Sequence, residues 1–139
     1  MSNLWYPNFE ELNEWVEFLQ KDVVGTIFLP PNLNQTWITC MLRCFQLTAI
    51  HPDGQDLFQT AARLFYKIVK NHVLVDGNKR SAVICTFYFF IENHQYLLIP
   101  PEEMYLLAIE IASSPGSEFM DVMIQNLSEV FQKNTKFSL

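Results

Sequence analysis

A chain of 139 residues is long enough for one domain and too short for two of ordinary size. Half of its residues are hydrophobic, with 12 Phe, 5 Tyr and 3 Trp, so it can build a core without covalent staples, while charged residues make up only 17%, below the usual quarter. The net charge of −6, with 9 scattered Lys and Arg, argues against a nucleic-acid or anionic-membrane binder, because phosphate backbones recruit clustered cations.

A small phosphate site is not excluded, since it needs only one or two cations and some backbone N–H groups. The charge deficit has two readings: apolar surface covered by a partner, or simply an aromatic-rich core. Cysteine is sparse, at Cys40, Cys44 and Cys85, and an odd count without regular spacing does not read as a secreted disulfide framework. Cys40 and Cys44 stand i,i+4 on an expected helix, but no further ligand follows at a matching interval, so buried small hydrophobes are the better reading.

Met1 to Trp15 contains Glu10, Glu11 and Glu14 and no cation, unlike a signal peptide. The longest apolar run, Ala82 to Ile91, is about half the ~20 residues that a membrane span requires. A soluble, cytoplasmic protein is the expectation.

Taken along the chain, nearly every segment has helical rather than alternating periodicity. Asn8-Phe9-Glu10-Glu11 has the form of a capping box and opens a helix to about Asp22, with Leu12, Trp15, Val16 and Leu19 on one face. Val23 to Asn34, with Gly25, Pro30 and Pro31, reads as a connection, and a second helix runs from about Gln35 to Ala49. His51-Pro52-Asp53-Gly54 is turn chemistry: proline fixes φ, and Asp-Gly tolerates positive φ. Asp56 and Gln59 then cap a third helix, Leu57 to about Lys70, with Leu57, Ala61, Leu64, Phe65 and Ile68 as its buried stripe.

After a polar loop, Asn71 to Asn78, a fourth helix from Lys79 to about Asn93 is apolar nearly all round, the pattern of a helix that others pack around. Tyr96 to Ile99 reads as short and extended. Two amphipathic helices follow, about Glu102 to Ala112 and Ser117 to Gln132, separated by Ser114-Pro115-Gly116. The expected fold is all-α: about six helices around a central apolar helix, in one domain spanning 1–139.

The loop Asn71-His72-Val73-Leu74-Val75-Asp76-Gly77-Asn78-Lys79-Arg80 carries the chemistry. Gly77 and Asn78 tolerate positive φ, so the backbone can curl and aim successive N–H groups inward. The next helix adds its own unsatisfied N–H groups and a positive dipole end, which together make an anion cradle. Lys79 and Arg80 oppose that dipole, and a bound polyanion would reverse the sign of the cost; otherwise both side chains must bend into solvent or pair with carboxylates. Asp76 is a candidate Mg²⁺ ligand beside the cradle, or an Asx-type loop cap. His72 is a candidate general base, suited to take a proton near neutral pH, or a structural histidine.

The stretch resembles the H-x-F-x-[D/E]-G-N-[G/K]-R signature of the Fic/Doc family at His72, Asp76, Gly77, Asn78, Lys79 and Arg80. The likeness, with its flanking helices, extends over about residues 50–130. It implies an all-α fold in which His72 is the base toward a Ser, Thr or Tyr hydroxyl of a target protein. It further implies that Asp76 holds Mg²⁺, and that Gly77, Asn78 and Arg80, with Lys79 beside them, contact the phosphates of ATP or another nucleoside triphosphate.

Lys79 replaces the second Gly of the AMP-transferring members and resembles the death-on-curing (Doc) branch, which transfers the γ-phosphate to elongation factor Tu. The trailing Arg of the AMP-transfer motif would fall at Val83 and is absent. Leu74 and Val73 replace the usual Phe and the frequent Pro in what are core-facing roles. The resemblance also suggests a target-docking flap at His51, Pro52, Asp53 and Gly54, although a plain interhelical turn explains the same residues. The chain lacks the family's self-inhibitory Ser/Thr-x-x-x-Glu-[Gly/Asn] motif, so a toxic enzyme would be restrained in trans by an antitoxin. The expectation is a Doc-like phosphotransferase toxin. An AMP transferase and a non-catalytic phosphate-binding interaction module stand as alternatives.

Overall fold

The computed structural model describes residues 4–22, 34–51, 56–70 and 78–137. Within them the chain forms α1 (Phe9–Asp22), α2 (Asn34–Ala49), α3 (Leu57–Lys70), α4 (Asn78–Glu92), β1 (Gln95–Leu97), α5 (Pro101–Ser113), α6 (Met120–Lys133) and β2 (Thr135–Phe137). The fold is all-α, with one small two-stranded sheet.

The helix starts follow local chemistry. Asn8 and Glu11 make the reciprocal capping box: the Glu11 N–H donates to Asn8 Oδ1 at 2.9 Å, and the Asn8 N–H donates to Glu11 Oε1 at 3.1 Å. At α3 only half of the expected box forms. The Gln59 N–H donates to Asp56 Oδ1 at 2.9 Å, while the Gln59 side chain reaches across to Gln125 on α6 at 2.7 Å. Pro101 occupies the first turn of α5, where a missing N–H costs nothing. Helix α6 begins three residues later than its periodicity suggests. Ser117 to Phe119 stay in a turn that follows Gly116 (φ +52°), a left-handed position suited to glycine.

Two aromatic clusters assemble the bundle. Phe58 near the start of α3 meets Phe90 near the end of α4, with ring centroids 6.3 Å apart, so the two helices run antiparallel. Phe131 of α6 closes that pair, edge-on to Phe65 at 6.1 Å and to Phe90 at 5.6 Å. In the second cluster, Trp15 of α1 stacks on Tyr88 at 4.9 Å and meets Phe45 of α2, which in turn meets Phe89. Helix α3 is buried more fully than its stripe implied. Residues Thr60 through Tyr66 are all buried, because α3 packs against α2, α4, α5 and α6 and so shares the centre with α4. Large side chains also remain on the surface, among them Leu98, Leu106, Val122 and Phe137.

The extended segment after α4 is β1, and its partner is the chain's own end. Gln95, Tyr96 and Leu97 pair antiparallel with Phe137, Lys136 and Thr135. His94 enters this strand at φ +63°, a conformation that costs a non-glycine residue about 1–2 kcal/mol.

The end of α4 also holds the amino-terminal segment. Asn93 Oδ1 accepts from the Trp5 N–H at 2.6 Å, and its Nδ2 donates to the Trp5 carbonyl at 3.1 Å and to the Phe89 carbonyl at 2.8 Å. One side-chain amide thus pairs with a backbone amide 88 residues away. Asn93→Ala strips both partners at once and is expected to lower unfolding free energy by about 1–3 kcal/mol. Urea denaturation followed by Trp emission measures it; an unchanged midpoint would mean that the amino-terminal segment is not held this way.

Candidate functional site

The antiparallel pairing of α3 and α4 brings the end of one beside the start of the other. The connection between them is residues 71–77, so His72, Val73, Leu74, Val75, Asp76 and Gly77 lie outside the described residues, and so do Pro52, Asp53 and Gly54. What the structure describes is the frame that holds the motif loop.

On the α3 side, Lys67 and Lys70 occupy the last turn, where cations complement the dipole. Lys70 Nζ donates to the Ser114 carbonyl at 2.7 Å and stands 5.9 Å from the centroid of the Tyr66 ring. The end of α3 is therefore tied to the α5–α6 turn.

On the other side, Asn78 is the first residue of α4, with Lys79 half-buried and Arg80 exposed in the same turn. Three helices, α2, α3 and α4, have no acidic residue in the first turn, while α1, α5 and α6 do; α4 has Lys79 and Arg80 there instead. Acids are the ordinary complement of a helix start; cations there are the reverse, and suit an anionic ligand. The next turn of α4 is core: Ser81, Ala82 and Val83 are all buried.

His51 lies between α2 and α3. It is a half-buried bend residue after α2, with its N–H donating to the Thr48 carbonyl at 3.2 Å. Helix α3 then runs 14 residues, about 20 Å at 1.5 Å per residue, before the motif loop leaves its far end. His51 thus stands before the start of α3 and Lys70, after which the motif loop begins, at its end; Pro52, Asp53 and Gly54 lie outside the described residues.

The thiols are structural in setting. Cys44 and Cys85 are buried and Cys40 half-buried, none of the three is in a disulfide, and no group of three or more His, Cys, Asp or Glu that could hold a metal occurs among the described residues. Nor is any helix among them long and apolar enough to cross a membrane.

The sequence profile of the Fic/DOC family matches residues 9–90, more than half of the chain. The chain belongs to the Fic/DOC family. The match takes in α1 and α2, which carry none of the signature residues, and stops within α4, short of the reach to 130 that the motif's flanks suggested. No curated protein and no solved structure matches the chain. Membership supports a protein-modifying function of the Fic type in general, the transfer of a nucleotide-derived group to a protein.

Burial pushes the Cys44 thiol up to about 11 despite the lowering effect of Lys67 and Arg43, and pushes Cys85 up further still. A raised thiol pKa favours the neutral folded state: its stabilisation is complete below the ordinary thiol range and is lost as pH climbs toward the folded value. The urea midpoint is expected to stay flat from about pH 7 to about pH 9 and to fall beyond it, less steeply in Cys85→Ala. An equal fall in that variant would place the alkaline sensitivity elsewhere.

Proposed function

We propose that the chain is a Doc-like phosphotransferase, moving the γ-phosphate of ATP or a similar nucleoside triphosphate onto a Ser or Thr hydroxyl of a target protein of translation-factor type. The observation that carries this reading over AMP transfer is the first part of α4. Lys79 is half-buried where AMP-transferring members have Gly, and Val83 is buried where they have Arg. A bulky cation at 79 obstructs the pose that would expose the α-phosphorus. A buried aliphatic at 83 supplies no guanidinium to the phosphates.

In this reading the chain's own groups divide the work. Gly77, Asn78 and the N–H groups at the start of α4 hold the phosphate oxygens, with Lys79 and Arg80 as their charge complement. His72 takes the proton of the target hydroxyl as its oxygen forms the bond to the γ-phosphorus, and the bond from that phosphorus to the β,γ-bridging oxygen breaks to release the nucleoside diphosphate. Asp76 offers a hard oxygen ligand of the kind Mg²⁺ takes, and the ion when bound would neutralise charge on the phosphate oxygens.

The toxin reading adds a partner. An antitoxin segment would restrain the enzyme in trans, in keeping with a chain that has no self-inhibitory motif, and the cell compartment in which both act is the cytoplasm.

Incubation of target protein with ATP and Mg²⁺ followed by mass spectrometry tests the reaction. A gain of one phosphate is expected; a gain of one AMP would establish the alternative transfer, and no gain dependent on His72 would leave a phosphate-binding scaffold. His72→Ala is expected to abolish the gain with helical content and melting unchanged, whereas loss of stability would make His72 a core residue. Lys79→Gly is expected to shift product toward AMP transfer; pure phosphate transfer in that variant would count against the steric argument.

A further inference from the structure

A cavity of about 370 Å³ opens between α2 and α3, lined by Cys40, Arg43, Cys44 and Leu47 of the first helix and Lys67 of the second. Its α2 side follows from helical spacing, since positions i, i+3, i+4 and i+7 form one stripe. That stripe is unusual in placing a guanidinium among thiols and a leucine, and α3 meets it with a second cation. Arg43 is exposed, Lys67 and Cys40 are half-buried and Cys44 is buried.

The described lining is rich in donors. Arg43 brings five N–H groups and Lys67 three, and no carboxylate, amide or hydroxyl side chain stands among the described lining residues; a thiol sulfur is only a weak acceptor. Arg43 and Lys67 line the same cavity as Cys44, and both lower its thiol against the effect of burial. Two cations lining one cavity repel each other, and an oxyanion bound there would replace that repulsion with charge-assisted hydrogen bonds. One edge of the cavity, at Lys67, lies near the end of α3. Lys67 precedes Lys70, the last residue of α3, by one helical turn, about 5 Å of rise, and the motif loop leaves from Lys70.

We propose that this α2–α3 cavity is an oxyanion subsite that receives a phosphate or carboxylate group of a molecule engaged at the neighbouring loop. The subsite deepens the transferase reading, on which the identity of that molecule rests. Two sources carry the same chemistry: the phosphate tail of the nucleotide, and an acidic side chain near the modified hydroxyl of the protein substrate.

Cys40 is a reporter already in the cavity wall. Its labelling by a dianionic aromatic disulfide and by neutral N-ethylmaleimide can be followed by peptide mass mapping on the intact chain, and the ratio of the two rates cancels changes in thiolate fraction. Millimolar inorganic phosphate is expected to slow the dianionic reagent several-fold. Arg43→Gln with Lys67→Gln is expected to lower the rate ratio and remove the phosphate protection, while Lys67→Arg keeps both. Labelling indifferent to phosphate, or protection that survives loss of both cations, would overturn the subsite. Stronger protection by MgATP than by a glutamate-rich peptide assigns the oxyanion to the nucleotide, and the reverse order assigns it to the protein substrate. Labelling needs no turnover, so failure of the subsite and failure of the transfer reaction are separately visible.

Discussion

The antiparallel packing of α3 on α4 is the constraint from which the remainder follows. Phe58 against Phe90 fixes one end of the pair, and Phe131 wedged against Phe65 and Phe90 keeps the helices from sliding. Each such ring contact contributes about 0.5–1.5 kcal/mol beyond area burial. With that end fixed, the carboxyl end of α3 and the amino end of α4 must meet at the other. The chain has only residues 71–77 in which to join them. The two helix ends that residues 71–77 join carry Lys67 and Lys70 on one side and Lys79 and Arg80 on the other, and the proposed polyanion site rests on that charge.

Supporting elements bear on the same pair. Lys70 ties the end of α3 to the α5–α6 turn, and the Gln59–Gln125 bond ties its start to α6. Asn93 fastens the amino-terminal segment to the end of α4, where Tyr6 meets Phe89 at 5.4 Å and Trp5 meets Trp15 at 6.0 Å. The low share of charged residues thus serves an aromatic interior, and still leaves apolar side chains such as Leu106 and Val122 on the surface.

Much of this was legible in the chain because it is local. The Asn8–Glu11 box, the Asp56 cap of α3 and the break at Ser114-Pro115-Gly116 each rest on residues a few positions apart. Strand β2 was not legible: Thr135 to Phe137 is too short to show alternation, and its partner lies about 40 residues earlier. The full burial of α3 was hidden for a similar reason. Arg63 and Tyr66 look like a solvent face until four neighbouring helices surround them. The nine-residue signature could be read at sight and the family match agrees with it, whereas the separation of His51 from the end of α3 is set by the length of that helix. The α2–α3 cavity needs two helices packed together before Arg43 and Lys67 can line it, so nothing in the sequence pointed to it.

The central claim is that backbone amides at the start of α4 bind phosphoryl oxygens. Amide hydrogen exchange, resolved to Asn78 through Ser81 and recorded with and without MgATP, tests this at the atoms concerned. The account predicts that exchange at these amides slows on nucleotide binding while the centre of α4 is unaffected. Binding of the nucleotide with no change in their exchange would contradict it.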